Sequence, residues 1–209
     1  SKIYAEWPYA AAEAVRRRMR KADVKARRQV LAKCHQTMRR AWDKAARAEM
    51  ARTPIGFQWV ARCIGELIGP DTIVINEYPL DPRHAPPSAA ETYLGASHAG
   101  GLGWGFGAAL GAKLAAPERT VIVTLGDGSY IFAVPSACHQ AARNHGLPVL
   151  TIVFNNGAWD EVAGSTRNVH PQGWAVSTEN FPMVSMGPPP RFEEIVRAFD
   201  GHGERVEDP

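Results

Sequence analysis

Cysteine is scarce in this chain and never paired by spacing. Cys34, Cys63 and Cys138 are odd in number and form no C-x-x-C. That argues against a disulfide framework or a structural zinc site and points to a reducing, cytoplasmic setting. Long apolar runs are missing too, so no segment has membrane-spanning length. The first residues are polar and soon strongly charged, which predicts no secretory leader. From about Ala10 to Ala51 glycine and proline are absent. The stretch is rich in Ala, Arg and Lys, with sparse apolar residues such as Val15, Val24, Leu31, Met38 and Trp42. This composition predicts one or two solvent-facing helices. Basic residues crowd here, as in Arg16-Arg17-Arg18, Arg27-Arg28 and Arg39-Arg40, although the whole chain carries a formal net charge of only +3. Basic helices can follow a phosphate backbone. With no nucleic-acid motif and no interleaved aromatics, a linker or interface helix is the better reading, and no nucleic-acid partner is expected.

What is present is ordinary in bulk and specific in detail. A chain of 209 residues, 45% hydrophobic and 22% charged, is large enough for one well-buried α/β domain plus an appendage. Thr120-Val121-Ile122-Val123-Thr124-Leu125 has the β-branched, uninterrupted character of a buried strand and ends at Gly126-Asp127-Gly128-Ser129. A helical pattern from Phe132 to His145, with Pro135 near its start and Gly146 at its end, precedes a second apolar run, Pro148 to Phe154. Strand, helix, strand implies a right-handed crossover and parallel pairing. Asp127, in Gly126-Asp127-Gly128, and Asn155-Asn156, which follows after the 26 residues Ser129 to Phe154, would therefore emerge at the same carboxyl edge of one sheet. That edge is where open α/β sheets bind ligands. A carboxylate and an amide are hard oxygen donors that select Mg²⁺ or Ca²⁺ over zinc. A magnesium ion held by so few protein groups commonly completes its shell with phosphate oxygens and water. A diphosphate is the natural partner.

The pattern GDG, 26 residues beginning with Ser129, then NNGAW resembles the cofactor motif of the thiamine diphosphate enzymes. The resemblance implies that Asp127 and Asn156 are side-chain ligands of Mg²⁺, that Ala158 offers its backbone carbonyl as a third ligand, and that Gly128 and Ser129 touch the diphosphate. A second segment, from Ser97 through Gly100-Gly101-Leu102-Gly103-Trp104-Gly105 to Ala112, resembles the same family's glycine-rich turn and following helix. In that comparison Leu102 is the hydrophobe wedged between the two cofactor rings. Gly100 supplies a carbonyl to the 4-amino group. His98, close to this turn, could move a proton near the cofactor, or be a loop or core histidine. A dinucleotide loop or P-loop fits these glycines poorly: no strand directly precedes them and no Gly-Lys-Ser/Thr follows.

The flavour of the motifs is similar to the acetolactate synthase-like branch, whose members decarboxylate 2-oxo acids or transfer the acyl unit. The resemblance implies a fold with a parallel sheet and helices on both faces. It also implies a small-molecule 2-oxo acid substrate and an activating glutamate from a pyrimidine-binding domain or subunit, hence a homo- or hetero-oligomer. Residues 1–52 are expected to be a helical linker or the end of a preceding domain, and 53–209 the cofactor domain. A non-catalytic regulatory subunit that meets a partner through its basic helices is the alternative. Within the domain, Pro54 to Ile68 predicts an amphipathic helix and Thr72 to Asn76 the first strand, with Glu77-Tyr78-Pro79-Leu80 as a loop near the cofactor. Gly157 to Pro190 predicts an irregular functional loop. A last helix is expected over Phe192 to Phe199 and an edge strand over Glu204 to Glu207. Of the other candidates, His139, Trp104 and Trp159 are expected to pack.

Overall fold

The computed structural model describes residues 12–18, 20–89, 91–95, 101–188 and 190–209. The chain divides into two compact units, Ser1–Ala45 and Ala46–Pro209. In the first, residues 12–18 are helical and α1 (Lys21–Ala48) follows, exposed along nearly its whole length as its sparse apolar pattern predicts. Among the described residues no helix is long and apolar enough to cross a membrane.

The second unit is built on four parallel strands in the order β2-β1-β3-β4: β1 (Thr72–Glu77), β2 (Tyr93–Gly95), β3 (Thr120–Gly126) and β4 (Leu150–Phe154). Helices lie on both faces. Ile73, Ile75, Val121, Val123 and Leu125 point to one side, where α3 (Trp104–Ala115) and α5 (Pro135–His145) bring Phe106, Ala109, Leu110 and Cys138. Val74, Ile152 and Phe154 point to the other, against Ala61 and Ile64 of α2 (Phe57–Leu67) and against Leu80 and Ala85. This two-sided burial is why β1 and β3 read as unbroken apolar runs rather than alternating ones.

Several expectations need correction. The helix expected from Phe132 is split into α4 (Asp127–Phe132), which leaves β3 directly, and α5, which begins at Pro135 after Val134 adopts a left-handed φ of 53°. The apolar run ending at Phe154 is a half-buried strand, because β4 has a neighbour on one side only among the described residues. The stretch 157–190 contains α6 (Asp160–Val169) and α7 (Trp174–Ser177). The last helix, α8, is Phe192–Arg197. Residues 204–207 form no strand: the run holds one apolar residue, exposed Val206, and Arg205 pairs with Glu207 instead. The short β2 was not foreseen.

Behind α4 lies a polar pair set in aromatic surroundings. The Tyr130 hydroxyl and His139 Nε2 are 2.7 Å apart, with Phe106, Phe192 and Phe199 around them. Burial, helped by the charge on Cys138, pushes the Tyr130 phenol up to about 12, and burial holds His139 below its ordinary value. The unfolded chain takes up a proton at this histidine near pH ~6.5, the folded chain only at lower pH. Its contribution to stability is therefore complete above that pH and declines as the pH falls toward the folded value. Thermal unfolding between pH 7.5 and 5 should show this decline, and His139→Gln should flatten part of it.

Candidate functional site

Parallel pairing aligns three strand ends at one edge. Glu77 sits opposite Leu125, and Gly126 opposite Phe154. β3 passes into α4 without a loop, so Asp127 is the first residue of a helix and is only 4% exposed. Its carboxylate accepts three amides. Oδ1 takes its own neighbour Gly128 N–H (2.8 Å), and Oδ2 takes Asn156 N–H (3.1 Å) and Gly157 N–H (2.7 Å). A carboxylate has about four lone-pair positions. Three amides thus leave Asp127 one direction for a cation, while locking the loop after β4 against the start of α4.

That loop is ordered by its own asparagines. Asn155 Oδ1 accepts Gly157 N–H (3.2 Å) and Asn156 Oδ1 accepts Ala158 N–H (3.0 Å), while Gly157 holds a left-handed φ of 68°. The chain returns at residues 184–186: Trp159 N–H donates to the Val184 carbonyl (2.8 Å) and Met186 N–H to the Gly157 carbonyl (2.9 Å), with Ala158 facing Ser185. The Ala158 carbonyl takes no part in that pairing. The Asp127 carboxylate is therefore held against the segment that carries the Asn156 side chain and the Ala158 carbonyl. No group of three or more His, Cys, Asp or Glu able to hold a metal exists among the described residues. A carboxylate, an amide and a peptide carbonyl are hard oxygen donors, the kind that could hold Mg²⁺.

The glycines have identifiable steric causes. A Cβ on Gly128 would lie 2.4 Å from the Trp159 ring, which also makes a T-shaped contact with Phe132 at 5.6 Å between centroids. Trp159 is thus a packing residue that fixes the entry to α4. Buried Ser129 follows in the same turn. Gly103 caps α3 in the left-handed region (φ 87°), and a Cβ there would meet Ala133 N at 2.5 Å and the Phe132 carbonyl carbon at 2.6 Å. Both glycine motifs therefore back onto the same helix, α4. Leu102, 39% exposed, stands on this turn outside the core. Trp104 packs against the core with its indole N–H buried and unpartnered. His98 and Gly100 lie outside the described residues. His170, at the end of α6, is exposed.

Glu77 was missed as a site residue. It closes β1 rather than opening a loop, is 1% exposed, and accepts Gly103 N–H at Oε1 (2.5 Å) and Gly105 N–H at Oε2 (2.6 Å). The signal was an acidic residue ending an otherwise apolar strand, since an unpaired glutamate is rarely fully buried. The loop beyond it is gripped by Asn76: Leu80 N–H donates to Asn76 Oδ1 (3.0 Å), and Asn76 Nδ2 donates to the Leu80 carbonyl (2.9 Å). Tyr78 between them has φ 78° and is exposed.

Residues 82–209 match the family described as "Thiamine pyrophosphate enzyme, C-terminal TPP binding domain". An acetolactate synthase large subunit of Mycobacterium tuberculosis is 36% identical over 110 residues, 53% of this chain and 18% of that protein. A 2-hydroxyacyl-CoA lyase of Arabidopsis thaliana is 30% identical over 118 residues, 56% of this chain and 20% of that one. The chain thus spans a fifth or less of these curated relatives. Among solved structures, the benzoylformate decarboxylase of Polynucleobacter necessarius superposes with a TM-score of 0.61 at 19% identity, covering 75% of this chain and 29% of that one. The Rhodococcus jostii thiamine diphosphate-dependent 4-hydroxybenzoylformate decarboxylase gives 0.59 at 24% identity, covering 71% and 27%. These two likenesses bear on the fold.

Gly128→Ala should lower stability by about 1–3 kcal/mol, the ordinary cost of overpacking, because its methyl group must displace the Trp159 ring. Urea unfolding checks this. Adding Trp159→Leu should recover part of the loss, and a loss that persists undiminished would place the constraint elsewhere.

Proposed function

The chain belongs to the thiamine pyrophosphate enzymes, through their C-terminal cofactor-binding domain, and from that premise we propose that its cofactor, thiamine diphosphate, is held through Mg²⁺ by Asp127, Asn156 and the Ala158 carbonyl. One observation carries this: the Asp127 carboxylate joins the ends of β3 and β4 by accepting three amides, fewer than the about four it has lone pairs for. In this reading Gly128 and Ser129 meet the diphosphate, Leu102 stands against the rings, Gly100 receives the 4-amino group, and His98 moves a proton beside them. The catalytic candidates are Leu102 and His98. Residues 53–209 form the cofactor domain, with 1–52 as its helical lead-in.

When bound, the cofactor supplies a nucleophilic carbon and an electron sink for cleaving or joining bonds next to a carbonyl. The residues of this chain contribute position. Asp127 fixes the loop after β4 against the start of α4, the two segments that meet the diphosphate, and the Gly103 turn fixes Leu102. The substrate class is a 2-oxo acid, which is decarboxylated or has its acyl unit transferred. Support comes from the names of the relatives, acetolactate synthase, 2-hydroxyacyl-CoA lyase and benzoylformate decarboxylase. A pyrimidine-binding domain, on the same polypeptide or a second subunit of a homo- or hetero-oligomer, completes the site. The exposed apolar side chains Tyr78 after β1, Leu102 on the turn before α3, and Phe132 and Val134 at the carboxyl end of α4 suit such a neighbour. Three free cysteines fit a cytoplasmic setting.

Asp127→Asn should lower Mg²⁺-dependent affinity for thiamine diphosphate by at least about 100-fold, the upper end of what even an outer-shell partner of a metal costs. Calorimetric titration with and without Mg²⁺ measures it, and undiminished binding would refute the metal assignment. Leu102→Ala should change that affinity little while slowing hydrogen–deuterium exchange at the cofactor's C2 about tenfold or more, as a lost positioning contact does.

A further inference from the structure

Glu77 is a fully buried carboxylate whose hydrogen-bond partners are two backbone amides, and no cation lies within ion-pairing distance of it among the described residues. Its charge is carried by the amino end of α3, where unpaired N–H groups and the helix dipole favour an anion. An ordinary helix would solve this capping with a Ser, Thr, Asp or Asn at its first position. Here that position is Gly103, and it cannot be otherwise: its φ of 87° and the 2.5 Å approach to Ala133 N leave no room for a Cβ. The close seating of the turn on α4 thus removes the local cap, and β1 supplies one from 26 residues upstream. Gly105 completes the arrangement, since a Cβ there would lie 2.9 Å from Glu77 Oε2 and 3.1 Å from Leu125 Cδ2.

The geometry points to Glu77 as a positioning residue: by holding Gly103 and Gly105 from the end of β1, it sets where the peptide-linked Leu102 stands over the site. Asp127 and Glu77 then divide the work at one sheet edge. The first carboxylate locks the loop after β4 to the start of α4, and the second locks the Leu102 turn to β1. This rests on the cofactor reading only for what Leu102 touches. The locking of the turn stands on the structure alone.

The test uses Glu77→Gln in the full chain, which keeps the shape but turns one oxygen into a donor facing a donor. Amide hydrogen exchange should lose protection about tenfold or more at residues 101–105, as a missing charge-assisted bond implies, while β3 and α5 stay protected. In the Mg²⁺-loaded enzyme the same variant should bind thiamine diphosphate with near-normal affinity but slow exchange at C2. Combined with Leu102→Ala it should be no slower than the slower single variant, because both act through one group. Unchanged protection at 101–105, or slowing in the double variant equal to the product of the two singles, overturns the proposal. Should Glu77→Gln fail to fold, Glu77→Asp, which keeps the charge but shortens the reach, is read by the same two measurements with a smaller loss expected. If the unaltered protein does not bind the cofactor at all, the functional reading falls, and the exchange pattern at 101–105 still decides the role of Glu77.

Discussion

The carboxylate of Asp127 is the constraint from which the site follows. Buried at the first turn of a six-residue helix, it is satisfied by three backbone amides, two of which belong to a loop about 30 residues further along the chain. A buried anion must find donors or forfeit its hydration. The segment 156–157 therefore cannot drift from α4, and the asparagines that follow β4 are held at the same edge as the aspartate that follows β3. The groups proposed to hold the metal are tied by main-chain bonding, with no side-chain ion pair among them.

Steric closeness does the rest. Gly103 sits on the end of α4, Gly128 sits under the Trp159 ring, and Gly105 leaves space for the Glu77 carboxylate. Each glycine is required by a different neighbour, and all three neighbours converge on β3 and α4. The glycine-rich turn and the Gly-Asp-Gly stretch are two sides of one packed junction. Their separation in sequence hides that they touch.

The fold was largely legible because β1 and β3 are buried on both faces and so appear as unbroken apolar runs, with capping and breaking residues at their ends. The meeting of Asp127 with the Asn155-Asn156 segment was legible from the spacing of two motifs at strand ends, and the structure joins those segments through the Asp127 carboxylate. Other features were hidden for physical reasons. β2 spans three residues and carries little pattern. The helix Asp160–Val169 lies in a stretch punctuated by Gly and Pro, where tertiary packing rather than periodicity decides. Val206 suggested a strand, but a run with one apolar residue and two charges that pair with each other has nothing to bury. Glu77 was taken for a loop residue because glutamate at a strand end is ordinarily solvated. Only the three-dimensional arrangement reveals the uncapped helix that needs it.

The register of β1 against β3, Thr72 opposite Thr120, spans a long stretch of chain, and the polar ties at the sheet edge bridge 26 to 30 residues. Contacts of such separation are closed late, after loop entropy has been overcome by burial of the apolar strands. No local fragment of the polypeptide can nucleate this edge. Helices α3 and α5 can flicker into existence early, yet the cluster at the strand ends takes shape only when the crossover is complete. The proposed cofactor site accordingly depends on finished chain topology, because the groups at this edge meet only once the crossover is closed.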